Sequence, residues 1–139
     1  MLDQDLHQSH LEKIDALLRL CEVDTLHPEH VKNLSLSLFD QINPILNCSQ
    51  DARRWLEYAA LLHDVGWIRG RARHHKISLQ IILDTPSLDF TNKERLIIGS
   101  IARYHRKTPP TLLHDHFKVL DPMEREMVRK CSALLRLAN

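Results

Sequence analysis

The sequence predicts an all-α fold, and three observations carry that prediction. Apolar residues recur at three- and four-residue steps along most of the chain, the period of one helix face. Only 3 of 139 residues are glycine, and long stretches run without a breaker. Helix start signals stand in front of the periodic stretches, as Ser49, Thr91-Asn92-Lys93-Glu94 and Asp121-Pro122-Met123-Glu124. The length suits one domain with a real core, so residues 1–139 read as a single bundle of about six helices.

Hydrophobic residues are 43% and charged residues 27%, a globular mixture rather than a disordered or fibrous one. The formal net charge of +1 leaves any polyanion binding to local patches, not to the molecule as a whole. No apolar run approaches the roughly 20 residues that span a bilayer, so no membrane partner is expected. The opening MLDQDLHQSH is polar and acidic, unlike a secretory leader. Cys21, Cys48 and Cys131 stand alone without a CxxC pair, which argues against a disulfide framework or zinc knuckle. A reducing, cytoplasmic setting is the expectation. The unusual number is 10 histidines.

The first helix is expected over Leu6–Glu22, with Leu11, Ile14, Leu17, Leu18 and Cys21 as its stripe and His7 and His10 solvated at its polar start. Val23–Leu26 is a connection. The second helix opens at His27-Pro28-Glu29-His30 and runs to about Ile45, burying Val31, Leu34, Leu38, Ile42 and Ile45. Pro28 suits a first turn and disfavours helical geometry at His27. His27 stands four residues before Val31, facing inward, either as a capping or core histidine or as a ligand. Asn43–Ser49, with Pro44, is a linker, and Ser49 caps a third helix, Gln50–His63.

That third helix carries the stretch the chemistry depends on, Leu56–Gly66, LEYAALLHDVG. Its apolar run ends in His63-Asp64, and Gly66 is a natural stop. An imidazole beside a carboxylate is costly to bury there unless paired or bound to a metal. Both are good ligands for a divalent cation. Trp67–Arg73 is a basic loop whose Arg69, Arg71 and Arg73 lie close to the pair, as a phosphate site or as solvated surface.

His74–Leu83 is a short helix with His74, Ser78, Ile81 and Ile82 on one face, so His74 points inward with His75 beside it. Asp84–Phe90 is a loop. The Thr91–Glu94 capping box starts a helix to about His105, with Ile98, Ile101 and His105 on one face. Arg103–Lys107 and Pro109-Pro110 end it. Thr111–Leu120 is irregular; its His114-Asp115-His116 has a spacing that can bind metal but reads as solvated loop. The last helix follows Asp121-Pro122, turns Met127, Cys131, Leu134, Leu135 and Ala138 inward, and stops at Asn139. No internal repeat appears.

The inward histidines fall in the order His27, His63-Asp64, His74, His105, each on a different helix. That order resembles the HD superfamily of metal-dependent phosphohydrolases, whose signature is a His, a His-Asp pair and a distant Asp around one divalent metal. Within it, the chain is similar to the C-terminal helical region of the exopolyphosphatase and guanosine-pentaphosphate phosphohydrolase family. The matching stretches are His30–Ile42, Leu56–Gly70, Arg73–Ile82, Ile101–Lys107 and Cys131–Asn139, together most of the chain from residue 27 onward. The actin-like domains that carry polyphosphate hydrolysis in full-length members have no counterpart in this sequence, so that active site is not carried over. The family's LLRLA run is usually followed by Asp, the last metal ligand; here Asn139 follows. The stretch reads either as a fragment or as a stand-alone module.

The resemblance implies a metal set of His27, His63, Asp64 and Asn139 around a divalent cation (Mn, Mg, Zn, Fe or Ni). It implies catalytic roles for His63, Asp64, His74 and His105, the last two extending the site to a second metal or contacting phosphate. Arg69, Arg71, Arg73, Lys76, Arg106 and Lys107 would bind phosphate, since guanidinium forks suit its oxygens. The implied reaction is water attack on a phosphate ester or anhydride. The expected partner is a phosphate-containing small molecule, nucleotide or polyphosphate, ahead of nucleic acid, and a homo-oligomer is left open. The alternative is a non-catalytic polyanion-binding or regulatory module of the same fold, a reading that Asn139 favours.

Overall fold

The structure, a computed structural model, describes residues 2–69 and 73–139, without the side chains of Leu2, Ile68 and Arg69. Among the described residues it is all-α: α1 Leu2–Leu20, α2 Leu26–Leu46, α3 Gln50–Leu62, α4 His74–Asp84, α5 Asn92–Arg103, α6 Asp115–Lys118 and α7 Pro122–Ala138, with a 3₁₀ segment at Val65–Arg69 between α3 and α4.

Helix α3 is the axis of the bundle. Leu56, Ala59, Ala60 and Leu62 are fully enclosed, and α1, α2, α5 and α7 all pack on α3. The small Ala59-Ala60 pair lets those neighbours approach closely, and larger apolar groups such as Phe39, Ile98, Ile101 and Leu135 fill the space around it. No helix among the described residues is long and apolar enough to cross a membrane.

The start signals act as expected. The Ser49 hydroxyl accepts the Ala52 N–H at 3.2 Å. Thr91 and Glu94 exchange hydrogen bonds of 3.1 Å in both directions. Asp121 and Glu124 do the same at 2.8 and 2.9 Å, with Pro122 at the first helical position. Each box satisfies amide groups that the first turn otherwise leaves unbonded.

Leu34 and Ile45, expected in the buried stripe of the second helix, are exposed, and four further local expectations are corrected. Helix α1 begins at Leu2, four residues early, and His7 and His10, in three- and four-residue steps with Ile14 and Leu17, lie on the stripe instead of being solvated. The His7 ring lies 2.6 Å from the Tyr58 hydroxyl, and His10 is buried against the Tyr58 and Phe90 rings. Helix α2 begins at Leu26, so His27 is helical; the Asp24 carboxylate accepts the Leu26 N–H at 3.0 Å, and Pro28 sits where an amide needs no intrahelical partner. The same helix runs through Pro44 to Leu46, because a proline in the last turn costs only one bond and left-handed Asn47 closes the end by donating to the Asn43 carbonyl at 2.7 Å. Within the irregular stretch, Asp115–Lys118 forms a short helix, and Phe117 is buried.

Candidate functional site

Helix α3 stops at Leu62, and the turn His63-Asp64 leads into the 3₁₀ segment. Two contacts hold that turn against α4. The Ser78 hydroxyl donates to the His63 carbonyl at 2.9 Å and accepts the Gly66 N–H at 2.8 Å. A Cβ on Gly66 would lie 2.2 Å from the His74 carbonyl oxygen and 2.7 Å from the Ser78 nitrogen, so only glycine permits the approach. Ser78 is a positioning residue that the sequence marked only by its place one turn after His74.

This packing gathers His63, His74 and His105, all buried, around the Asp64 carboxylate. The Nε2 atoms of His63 and His27 lie 3.2 and 3.6 Å from Asp64 Oδ2. Those of His74 and His105 lie 3.2 and 3.8 Å from Asp64 Oδ1. The two latter nitrogens are 3.3 Å apart. One carboxylate therefore faces a different histidine pair with each oxygen. His27 is 53% exposed at the side chain, on the rim rather than inside, and its Nε2 is 3.1 Å from the Asn139 Oδ1. The His27 and His63 rings are 5.5 Å apart, so the four residues His27, His63, Asp64 and Asn139 come together.

The tautomers of two rings follow from their neighbours. His63 Nδ1 is 2.5 Å from the Ala60 carbonyl oxygen, and His105 Nδ1 contacts the Ala102 carbonyl. A carbonyl can only accept, so each Nδ1 carries a proton, and a ring protonated only there turns a lone pair at Nε2 toward Asp64. His63 Nε2 is buried without a hydrogen-bond partner, because its approach to Asp64 is close but poorly aligned. Burial, together with the neighbouring His63 and His74, depresses His105 to about 3, so that ring is neutral near pH 7. Burial alone would raise the Asp64 carboxyl, but the hydrogen bond and positive charge that His63, and then His105 and His74, supply when protonated outweigh it and hold it at about 2.

Such an array fits a divalent cation. Two groups of donors meet the requirement among the described residues: His27, His63 and Asp64, and Asp64, His74 and His105, each with its donor atoms within 4.8 Å of one another. Donors around a tetrahedral ion with bonds of about 2.05 Å lie about 3.4 Å apart, and the nitrogen–oxygen separations here bracket that value. Nδ1–H donation to a carbonyl is also the usual way a ligating histidine is oriented.

The basic residues are distributed differently. A cavity of about 390 Å³ opens beside His27 and Asp64, and Glu22, Asp24, Cys21 and Trp67 also line it. Trp67 packs its ring 5.1 Å from His74. Arg73, Lys76, Arg106 and Lys107 are exposed, and none of them lines this cavity. Arg73 serves as the left-handed N-cap of α4, the Lys107 carbonyl accepts from Arg136, and Lys76 borders a second cavity. Arg71 and the side chain of Arg69 lie outside the described residues.

His114 and His116 are not solvated as their loop composition suggested. The Tyr104 hydroxyl is 2.6 Å from His114 Nδ1, the Ser100 hydroxyl is 3.0 Å from His116 Nδ1, and the two rings stack. Tyr104 and Ser100, the residues that draw them in, lie in the preceding helix and its cap, a long-range contact that local composition does not encode.

The family model for Ppx/GppA phosphatase, domain III, matches residues 11–139. Guanosine-5'-triphosphate,3'-diphosphate pyrophosphatase from Aeromonas hydrophila is 28% identical over 128 residues, covering 90% of this chain and 24% of the relative. The protein of the same name from Pseudoalteromonas atlantica is 26% identical over 131 residues, 92% of this chain and 25% of the relative. That from Pseudoalteromonas translucida is 29% identical over 107 residues, 73% and 21%. The chain thus spans about a quarter of the length of the curated relatives it matches.

Proposed function

Because the chain belongs to the Ppx/GppA phosphatase domain III family, we propose that its Asp64 cluster is a divalent-metal centre of HD type that hydrolyses a phosphate ester or anhydride. The observation that carries this reading is His63 Nε2, a buried lone pair of fixed tautomer with no hydrogen-bond partner, beside an ionised Asp64. A group so placed is costly unless something cationic meets it. His27, His63 and Asp64, with the Asn139 amide oxygen, would hold the ion; Asp64 Oδ1, His74 and His105 would hold a second one or meet the phosphoryl group. Nitrogen-rich donors favour Mn, Fe, Ni or Zn over Mg. A cation held there supplies Lewis acidity toward the phosphoryl oxygens and the attacking water. Asp64 stays ionised and orients, while the neutral His105 keeps its Nε2 lone pair available to a cation.

The cavity argues for a small substrate. About 390 Å³ accommodates a single phosphorylated molecule, and Glu22 and Asp24 on its wall repel a long polyanion. A nucleotide or short phosphoanhydride fits better than extended polyphosphate or nucleic acid. We read residues 1–139 as one HD-like unit, and the free thiols of Cys21, Cys48 and Cys131 as suited to the cytoplasm.

One observation favours the second reading, a binding or regulatory module: Asn139 is neutral where the resemblance calls for a carboxylate. The test is hydrolysis of p-nitrophenyl phosphate, GTP and tripolyphosphate by chelator-stripped protein reloaded with manganese. The hydrolase reading expects turnover of at least one, reduced at least about 100-fold in Asp64→Asn. Metal-loaded protein that turns over none of them, while still binding one saturably, would establish the module instead.

A further inference from the structure

The interior holds a second charged group that the Asp64 cluster does not use. Arg103, in the last turn of α5, is 6% exposed, and its Nη1 is buried without an acceptor. The Tyr104 ring lies under the guanidinium, its centroid 5.6 Å from Arg103 Cζ. Burial lowers the Arg103 pKa, and no carboxylate offsets it. An isolated buried guanidinium carries a large desolvation cost that a counter-anion would relieve.

Arg103 borders a cavity of about 710 Å³ that shares no lining residue with the one at His27 and Asp64. Lys76, His114 and His116 line it too, and Asp115 is the one carboxylate among its described lining residues. Leu79, Leu83, Leu96, Leu113 and Val119 make up an apolar wall. His75, next to Lys76 in the chain, is also buried with Nδ1 unpartnered, though it does not line this cavity. We propose that this cavity binds a phosphomonoester carrying an apolar body, its phosphate on Arg103, Lys76, His114 and His116 and its body against the leucines. A planar fork and three further donors suit a dianion with three free oxygens. This site is independent of the metal centre.

The probe is phenyl phosphate, titrated calorimetrically into the full chain after chelator treatment. The expected result is saturable binding, weakened at least about tenfold in Arg103→Met and about threefold in Lys76→Ala, and unchanged in His63→Ala. Inorganic phosphate should bind more weakly than phenyl phosphate. Arg103→Met should fold, since it replaces an unpaired charge with an apolar group of similar length; circular dichroism checks this, and the exposed Lys76 variant decides the matter if it does not. The proposal is overturned if wild type shows no saturable binding, if folded Arg103→Met binds as well as wild type, or if His63→Ala alone loses the probe. Equal affinity for inorganic and phenyl phosphate would overturn the apolar-body assignment.

Discussion

The proposed metal centre has two halves that are built in different ways. The inner half, His63, His74 and His105, is buried among α3, α4 and α5, and two of its rings are oriented by backbone carbonyls of their own helices. The rim half, His27 and Asn139, comes from the first turn of α2 and the end of α7, both residues exposed, and the two side chains touch each other at 3.1 Å. Core packing fixes the inner donors before any ligand arrives. The rim donors lie outside that packing, and His27 sits in the first turn of α2, where backbone frays most easily. The difference teaches that disturbing the inner half should cost stability and affinity together while the fold persists, whereas disturbing the rim should change affinity alone.

The largest effect is expected at Gly66. Gly66→Ala drives a methyl into the His74 carbonyl and the Ser78 amide, both backbone, so neither can give way cheaply. A loss of more than about 3 kcal/mol in denaturant unfolding is expected, together with loss of divalent binding. A near-neutral result would mean that the clasp between the 3₁₀ segment and α4 is looser than the contacts imply.

Paired substitutions of the two halves come next. His63→Ala should weaken manganese binding by at least about 100-fold, since outer-shell partners alone are worth 10–100-fold, whereas His27→Ala should cost about tenfold. Both should keep native circular dichroism. Equal losses would erase the distinction between the halves. Ser78→Ala probes the same contrast more gently. It removes two hydrogen bonds and leaves the His63 carbonyl and the Gly66 N–H without that partner, expected to cost about 1–2 kcal/mol, with roughly tenfold weaker metal binding.

A smaller effect concerns acid. Burial, with His114 and Arg103 adding to it, depresses His116 to about 4. The unfolded chain therefore binds this proton first as the pH falls. Stability from this group is fully present above about 6.5 and is lost progressively as pH falls toward 4. His116→Gln should remove up to one proton from the uptake on unfolding across that window, read from the pH dependence of the denaturation midpoint. An unchanged slope would mean that His116 titrates normally.

The inner half was also the more legible one. The apolar run before His63, the three- and four-residue spacing that turns His74 and His105 inward, and the capping boxes at Thr91 and Asp121 are local signals, and the helices follow them. What failed to show locally depended on distance in the chain. His7 and His10 turn inward because Tyr58 and Phe90, far along the chain, receive them. His114 and His116 are ordered by Tyr104 and Ser100. Sequence proximity grouped the basic residues around the histidines, but helical geometry sends Lys76 to the opposite side of α4 from His74, toward the second cavity.

The rim can be sharpened by restoring the missing charge. Asn139→Asp adds an anion beside His27 and should tighten divalent binding severalfold without changing the fold; an unchanged affinity would remove position 139 from the ion's surroundings. The most direct test of the metal centre itself is calorimetric titration of manganese into chelator-treated wild type and Asp64→Asn. The carboxylate faces both histidine pairs, so wild type should bind saturably and Asp64→Asn should not. Manganese binding of equal strength in the two proteins, or none in folded wild type, would contradict the account.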